Sequence, residues 1–102
     1  MSTKKDYINY VLEMIDGVGQ LRYKKMFGEY MIYVEDKPAL LVCDDTVYVK
    51  IIDDLESEFQ TCEKGFPYQG AKEHYILDID EKERSKELIK QLLPYLKVPK
   101  KR

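Results

Sequence analysis

Arg22-Tyr-Lys-Lys-Met-Phe-Gly28, Glu29-Tyr-Met-Ile-Tyr-Val-Glu35, Ala39-Leu-Leu-Val-Cys43 and Val47-Tyr-Val-Lys-Ile-Ile52 form a run of alternating, apolar-rich segments cut by short polar turns. Successive side chains of a strand point to opposite faces, so this period of two marks sheet rather than helix. In the second segment Tyr30, Ile32 and Val34 fall on one face and Met31 and Tyr33 on the other. A strand that is apolar on both faces belongs inside a sheet. One face is expected to meet helices, and the other calls for a partner subunit, a ligand, or tyrosine hydroxyls at the water boundary.

Glu35-Asp36-Lys37-Pro38 and Asp44-Asp45 read as reversals, because Asp supplies the local hydrogen bonding of turns, so two hairpins are expected. Gly28 stands inside an extended run and suggests a bulge or bend in one long first strand. Upstream, Ile8, Val11, Leu12 and Ile15, widened by Tyr7 and Met14, lay a stripe along a helix that Asp16-Gly17 and Val18-Gly19 close. Downstream, Asp53-Asp54 reads as the cap of a helix that turns Leu55, Phe59 and Cys62 to the core. Gly65 to Lys72 is a loop or short edge strand, since Pro67 and two glycines cannot sit in a central strand. His74 to Ile79 is the last strand, with Tyr75, Leu77 and Ile79 inward. Asp80-Glu-Lys-Glu83 fits a capping box opening an amphipathic helix with Leu88, Ile89, Leu92, Leu93 and Leu96 buried, and Pro94 should end its regular hydrogen bonding near Leu93. The fold class that follows is α+β: a two-layer sandwich with an antiparallel sheet of about five strands, helices on one face, and the order α-β-β-β-α-β-β-α.

At 102 residues the chain has room for one domain, placed at residues 1–96, followed by a basic tail at 97–102. Lys plus Arg number 17 against 19 Asp plus Glu, a formal net charge of −2, which argues against a surface that grips nucleic acid throughout. Positive charge gathers in the tail, at Lys97, Lys100, Lys101 and Arg102, as either a solvated, frayed end or a phosphate contact. Cys43 and Cys62 lack a second cysteine or a histidine at ligand spacing and read as small buried hydrophobes of a reduced protein. The N-terminus has no signal-peptide core, and no apolar run approaches the roughly 18 residues of a membrane span, so the cytoplasm is the expected location.

The chain offers little for catalysis. His74 has no nucleophile context, Asp44-Asp45 and Asp53-Asp54 match no calcium loop, and Gly17-Val-Gly19 lacks the further glycine and lysine of a phosphate loop. No catalytic residue, metal or cofactor is expected. The basic and aromatic interleaving of Arg22 to Phe27 could stack single-stranded bases while cations hold phosphates, or could simply be an edge strand guarded by lysine.

Arg22, Met26-Phe27-Gly28, Tyr30, Ile32-Tyr33, Val42-Cys-Asp-Asp45 and Val47-Tyr48-Val49-Lys50 together resemble the N-terminal domain of the TfoX (Sxy) competence-regulator family. Phe59, Phe66-Pro-Tyr68, Tyr75 and the closing helix extend the likeness over roughly Val18 to Leu93. Glu29 and Met31 depart from it, standing where the family usually has glycine. The resemblance implies a two-layer α/β fold with helices on one face of an antiparallel sheet. It also implies a bacterial regulatory role, because full-length members control competence genes together with a separate DNA-binding transcription factor. The chain reads as a stand-alone copy of that domain, and a shared fold does not by itself transfer a function.

The expected activity is therefore that of a non-enzymatic regulatory or adaptor module acting through protein contacts, with a transcription factor or a second copy as candidate partner. Arg22, Phe27, Tyr30, Tyr33, Tyr48 and Lys50 are the candidate contact residues. The alternative is weak nucleic-acid binding through Arg22, Lys24, Lys25, Lys97, Lys100, Lys101 and Arg102.

Overall fold

The computed structural model describes residues 4–26 and 29–99. Its elements are α1 (Lys5–Met14), β1 (Leu21–Met26), β2 (Glu29–Val34), β3 (Lys37–Cys43), β4 (Thr46–Lys50), β5 (Glu63–Gly65), β6 (His74–Leu77) and α2 (Lys82–Leu92). Short 3-10 turns lie at Asp53–Leu55 and Leu93–Tyr95. The six strands form one antiparallel sheet in the order β1-β2-β3-β4-β6-β5, which bears out the α+β reading.

The alternation read from β2 decides which face the helices cover. Tyr30, Ile32 and Val34 join Leu40, Val42, Val47, Val49, Tyr75 and Leu77 in one buried cluster. Ile8 and Val11 of α1 and Leu88, Ile89 and Leu92 of α2 complete it. Each helix buries only its apolar stripe, as its periodicity requires. Ser85 is the buried polar residue of α2, and its hydroxyl donates to the Asp78 carbonyl at 2.8 Å. Lys37 Nζ donates to the Leu93 carbonyl at 3.0 Å and ties β3 to the end of α2. That helix ends at Leu92, two residues before Pro94, as proline chemistry demands.

Both expected hairpins are present, with Val34 opposite Lys37 and Cys43 opposite Thr46. Glu35 and Asp36 (φ 52° and 65°) and Asp44 and Asp45 (φ 51° and 56°) take left-handed backbone. Two such residues in a two-residue loop match the right-handed twist of the flanking strands. The β2–β3 ladder shifts register between Ile32 and Tyr33.

Four expectations are corrected. The stretch around Gly28 is not one long bent strand: β1 and β2 pair antiparallel with Met26 opposite Glu29, while Phe27 and Gly28 lie outside the described residues. A continuous strand from Arg22 to Val34 would exceed the usual length of roughly 3–10 residues, and folding back brings Arg22 Nε within 3.0 Å of Asp36 Oδ1. The segment after Ile52 is a 3-10 turn and a string of further turns rather than a helix, although Leu55 and Phe59 do reach the core. Asp54 and Glu58 would stand one turn apart on a helix and repel. Asp53-Asp54 makes no side-chain cap there. Finally, Asp80 does not cap α2; its carboxylate accepts the Tyr10 hydroxyl of α1 instead, and Glu81 holds the N-cap position without a side-chain bond.

Candidate functional site

Residues paired across neighbouring strands share a face. Following the register from one edge of the sheet to the other gives a single row: Lys24 opposite Met31, Met31 opposite Leu41, Leu41 opposite Tyr48, Tyr48 opposite Ile76, and Ile76 opposite Glu63. This row lies on the face turned away from the helices. Its four inner members are half-buried, and none belongs to the helix-side cluster; Lys24 and Glu63 at its ends are exposed. Tyr33 lies on the same face one step along β2, with the Arg22 guanidinium 4.1 Å above its ring. Arg22 also pairs with Asp36, an ion pair exposed enough to be worth only about 0–1 kcal/mol.

At the other end of the face His74 stands edge-on to Tyr48, ring centroids 6.4 Å apart. Its Nδ1 lies 2.7 Å from the Lys72 carbonyl, which can only accept, so that nitrogen carries the proton and the ring is fixed at the strand start. Gly65 lies over the same corner: a Cβ there would come within 3.1 Å of Ile76 Cδ1 and 3.6 Å of Tyr48 Cε1. Having no side chain at this position lets the β5 edge close against the apolar row. Cys43, buried at the end of β3, has its thiol pushed up to about 12 by burial, with the Glu29 carboxylate adding to the effect.

Of the residues singled out from sequence, Arg22, Tyr33, Tyr48 and Lys50 share this open face. Tyr30 turns to the helix side, where it is buried with its ring 5.7 Å from that of Tyr23. Phe27 lies outside the described residues. The cations of the nucleic-acid alternative do not converge: Arg22 and Lys24 face the open side, Lys25 pairs with Tyr30 and faces the other, and Lys97 follows the second 3-10 turn. Lys100, Lys101 and Arg102 lie outside the described residues. Leu41, Ile76 and Glu63 were missed as members of the face. The inward reading of Tyr75 and Leu77 already implied an outward Ile76; Glu63 gave no signal, since its strand looked like the end of a helix.

A second concavity, a cavity of about 520 Å³, lies between β6 and the start of α2 and is lined by Tyr7, Thr61, Cys62, Asp78, Arg84 and Leu88 among others. Its charged groups hold the fold: Arg84 Nη2 donates to the Glu58 carbonyl and to Thr61 Oγ1, each at 3.2 Å. Burial raises the Tyr7 hydroxyl, helped by Asp80, Asp45 and Asp78, and burial likewise raises the Cys62 thiol against the pull of Arg84. A thiol raised in this way is a poor nucleophile at neutral pH. Among the described residues no group of three His, Cys, Asp or Glu side chains is placed to hold a metal ion. No described helix is long and apolar enough to cross a membrane.

The family profile for the TfoX N-terminal domain matches residues 13–101, which takes in all six strands and α2. The chain is also similar to a curated relative from Spirochaeta aurantia, described as an uncharacterized 12.7 kDa protein in the trpE 5' region. The two are 32% identical over 104 residues, covering 100% of this chain and 90% of the relative. With nearly its whole length matched by that profile, and the open sheet face built within the matched part, the chain belongs to the TfoX N-terminal domain family.

Proposed function

We propose that this protein is a regulatory or adaptor module that works by docking another protein on the open face of its sheet. The observation that carries the reading is the row Met31–Leu41–Tyr48–Ile76: four adjacent apolar side chains, one from each inner strand, left only partly buried by helices that cover the opposite face. A contiguous apolar patch rimmed by polar residues is a common mark of a protein-contact surface. Tyr33 and Tyr48 suit such a surface, since each offers a rigid aromatic body with a hydroxyl that can hydrogen-bond. Membership of a family whose full-length members regulate gene expression supports a regulatory role over a metabolic one.

The test is site-specific photocrosslinking in the native cytosol, with the reactive group placed at Tyr33 or Tyr48 and, as control, at exposed Glu87 on α2. The reading expects a discrete protein adduct from the first two positions that survives physiological salt and disappears when Leu41→Arg is added. Absence of any adduct from either face position would reject it. Adducts to single-stranded nucleic acid instead, lost between low and physiological salt, would favour the phosphate-binding alternative.

A further inference from the structure

The open face has a charge order that selects its own complement. Read along the row, it runs Lys24, Met31, Leu41, Tyr48, Ile76, Glu63: a cation on the β1 edge, four apolar side chains, and an anion on the β5 edge. We propose that the occupant of this face is a second copy of the chain, stacked sheet to sheet about a two-fold axis that runs parallel to the strands between β3 and β4. The proposal rests on the reading of the open face as a protein-docking surface and narrows its partner.

The geometry follows from symmetry. A two-fold axis parallel to the strands exchanges the two edges of the sheet while keeping each row at its level. Lys24 of one protomer then lies over Glu63 of its partner, Met31 over Ile76, and Leu41 over Tyr48, with each pairing made twice. A two-fold axis running across the strands would instead set Lys24 against Lys24 and Glu63 against Glu63, which repel. The charge order therefore favours the first arrangement and disfavours the second. Stacked sheets pack about 10 Å apart with strands aligned within about 30°, a spacing that apolar side chains from both faces fill.

Edge-to-edge pairing is the competing way for a sheet to self-associate, and both edges resist it. Edge strand β1 exposes Arg22, Tyr23, Lys24 and Lys25 in succession, and edge strand β5 is only three residues long. Exposed lysines and short edges are the usual defences against strand addition. Six strands spaced about 4.8 Å apart and about five residues long give a face of roughly 400 Å² in plan, below the roughly 800 Å² per partner of a standard interface. The dimer therefore belongs to the weak, reversible class.

Sedimentation equilibrium from about 10 μM to about 1 mM, a range chosen for a weak interface, reads the mass directly. Wild-type protein is expected to move from its 12.1 kDa monomer mass toward twice that value. Lys24→Glu alone and Glu63→Lys alone should each weaken association about tenfold, because each makes two symmetric contacts repulsive. The double variant Lys24→Glu/Glu63→Lys should recover association, since its edges are again opposite in sign. Both positions are solvent-exposed charges, and unchanged thermal melting confirms that each of the three variants folds. A wild-type monomer at about 1 mM, or a double variant that stays as weak as the singles, overturns the dimer. In the first case an adduct from Tyr33 to a different protein leaves the docking reading standing; loss of every adduct, including self-adducts, removes both.

Discussion

Cys43 shows how a residue's role follows from its surroundings rather than its type. It was legible from sequence as a small hydrophobe in a strand, and it is buried, with its thiol held up at about 12 by desolvation and the nearby Glu29 carboxylate. The unfolded chain begins to lose that proton near the ordinary value of 9.0, while the folded chain keeps it until about 12. The stabilisation is therefore complete below pH 9 and is lost as pH rises through the interval to about 12. Wild-type stability in urea should fall between pH 8 and pH 10 by about 1 kcal/mol more than that of Cys43→Ala, whose intrinsic loss of volume is the same at both pH values. Equal pH slopes for the two proteins would refute the assignment. Ser85 gave no signal in the sequence, because its partner is a carbonyl seven positions back, at Asp78. A helix-interior serine reads as neutral until the strand end that needs its hydroxyl is in place.

At the scale of elements, periodicity was a good guide wherever the segment's own pattern decided the outcome, and capping was a poor one. Both long helices and the two acid-turn hairpins sit where their residues place them. Asp80 carries the sequence signature of a cap, yet Tyr10 of α1, 70 positions away, captures its carboxylate. The 53–62 segment has helix-compatible apolar spacing but too many acids on one side and no base to offset them. It is held by its anchors instead. Phe59 is almost fully buried and stacks on Tyr75, ring centroids 4.9 Å apart and planes 17° from parallel. Phe59→Ala should cost about 3–5 kcal/mol in denaturant unfolding, the loss for a large core aromatic, and should loosen the wall of the 520 Å³ cavity that Thr61 and Cys62 help to form. A loss under about 1 kcal/mol would mean that the segment is not anchored there.

The whole molecule is asymmetric about its sheet, and that asymmetry separates the face that carries stability from the face proposed to dock a partner. Leu40 and Leu41 are neighbours in β3: Leu40 is fully buried against the helices, and Leu41 is half-buried on the open face. Leu40→Ala should cost about 3 kcal/mol of stability, whereas Leu41→Ala should cost about 1 kcal/mol or less. A stability difference of the opposite sign in paired urea titrations would show that the faces have been assigned the wrong way round. The same logic makes Leu41→Arg the substitution that tests the proposed docking without unfolding the chain.

Sequence alone determined the sheet, the two amphipathic helices, the turns and the two-sided apolar character of β2, because each depends on the period of side chains within one segment. It also carried the family resemblance that the profile match bears out. Only the tertiary structure decided that the chain folds back between Met26 and Glu29, that Asp80 serves Tyr10 rather than its own helix, and that six strands align Lys24 and Glu63 at opposite ends of one apolar row. Those outcomes rest on which segments become neighbours, and hydrogen-bond register between strands fixes that only once the sheet has formed.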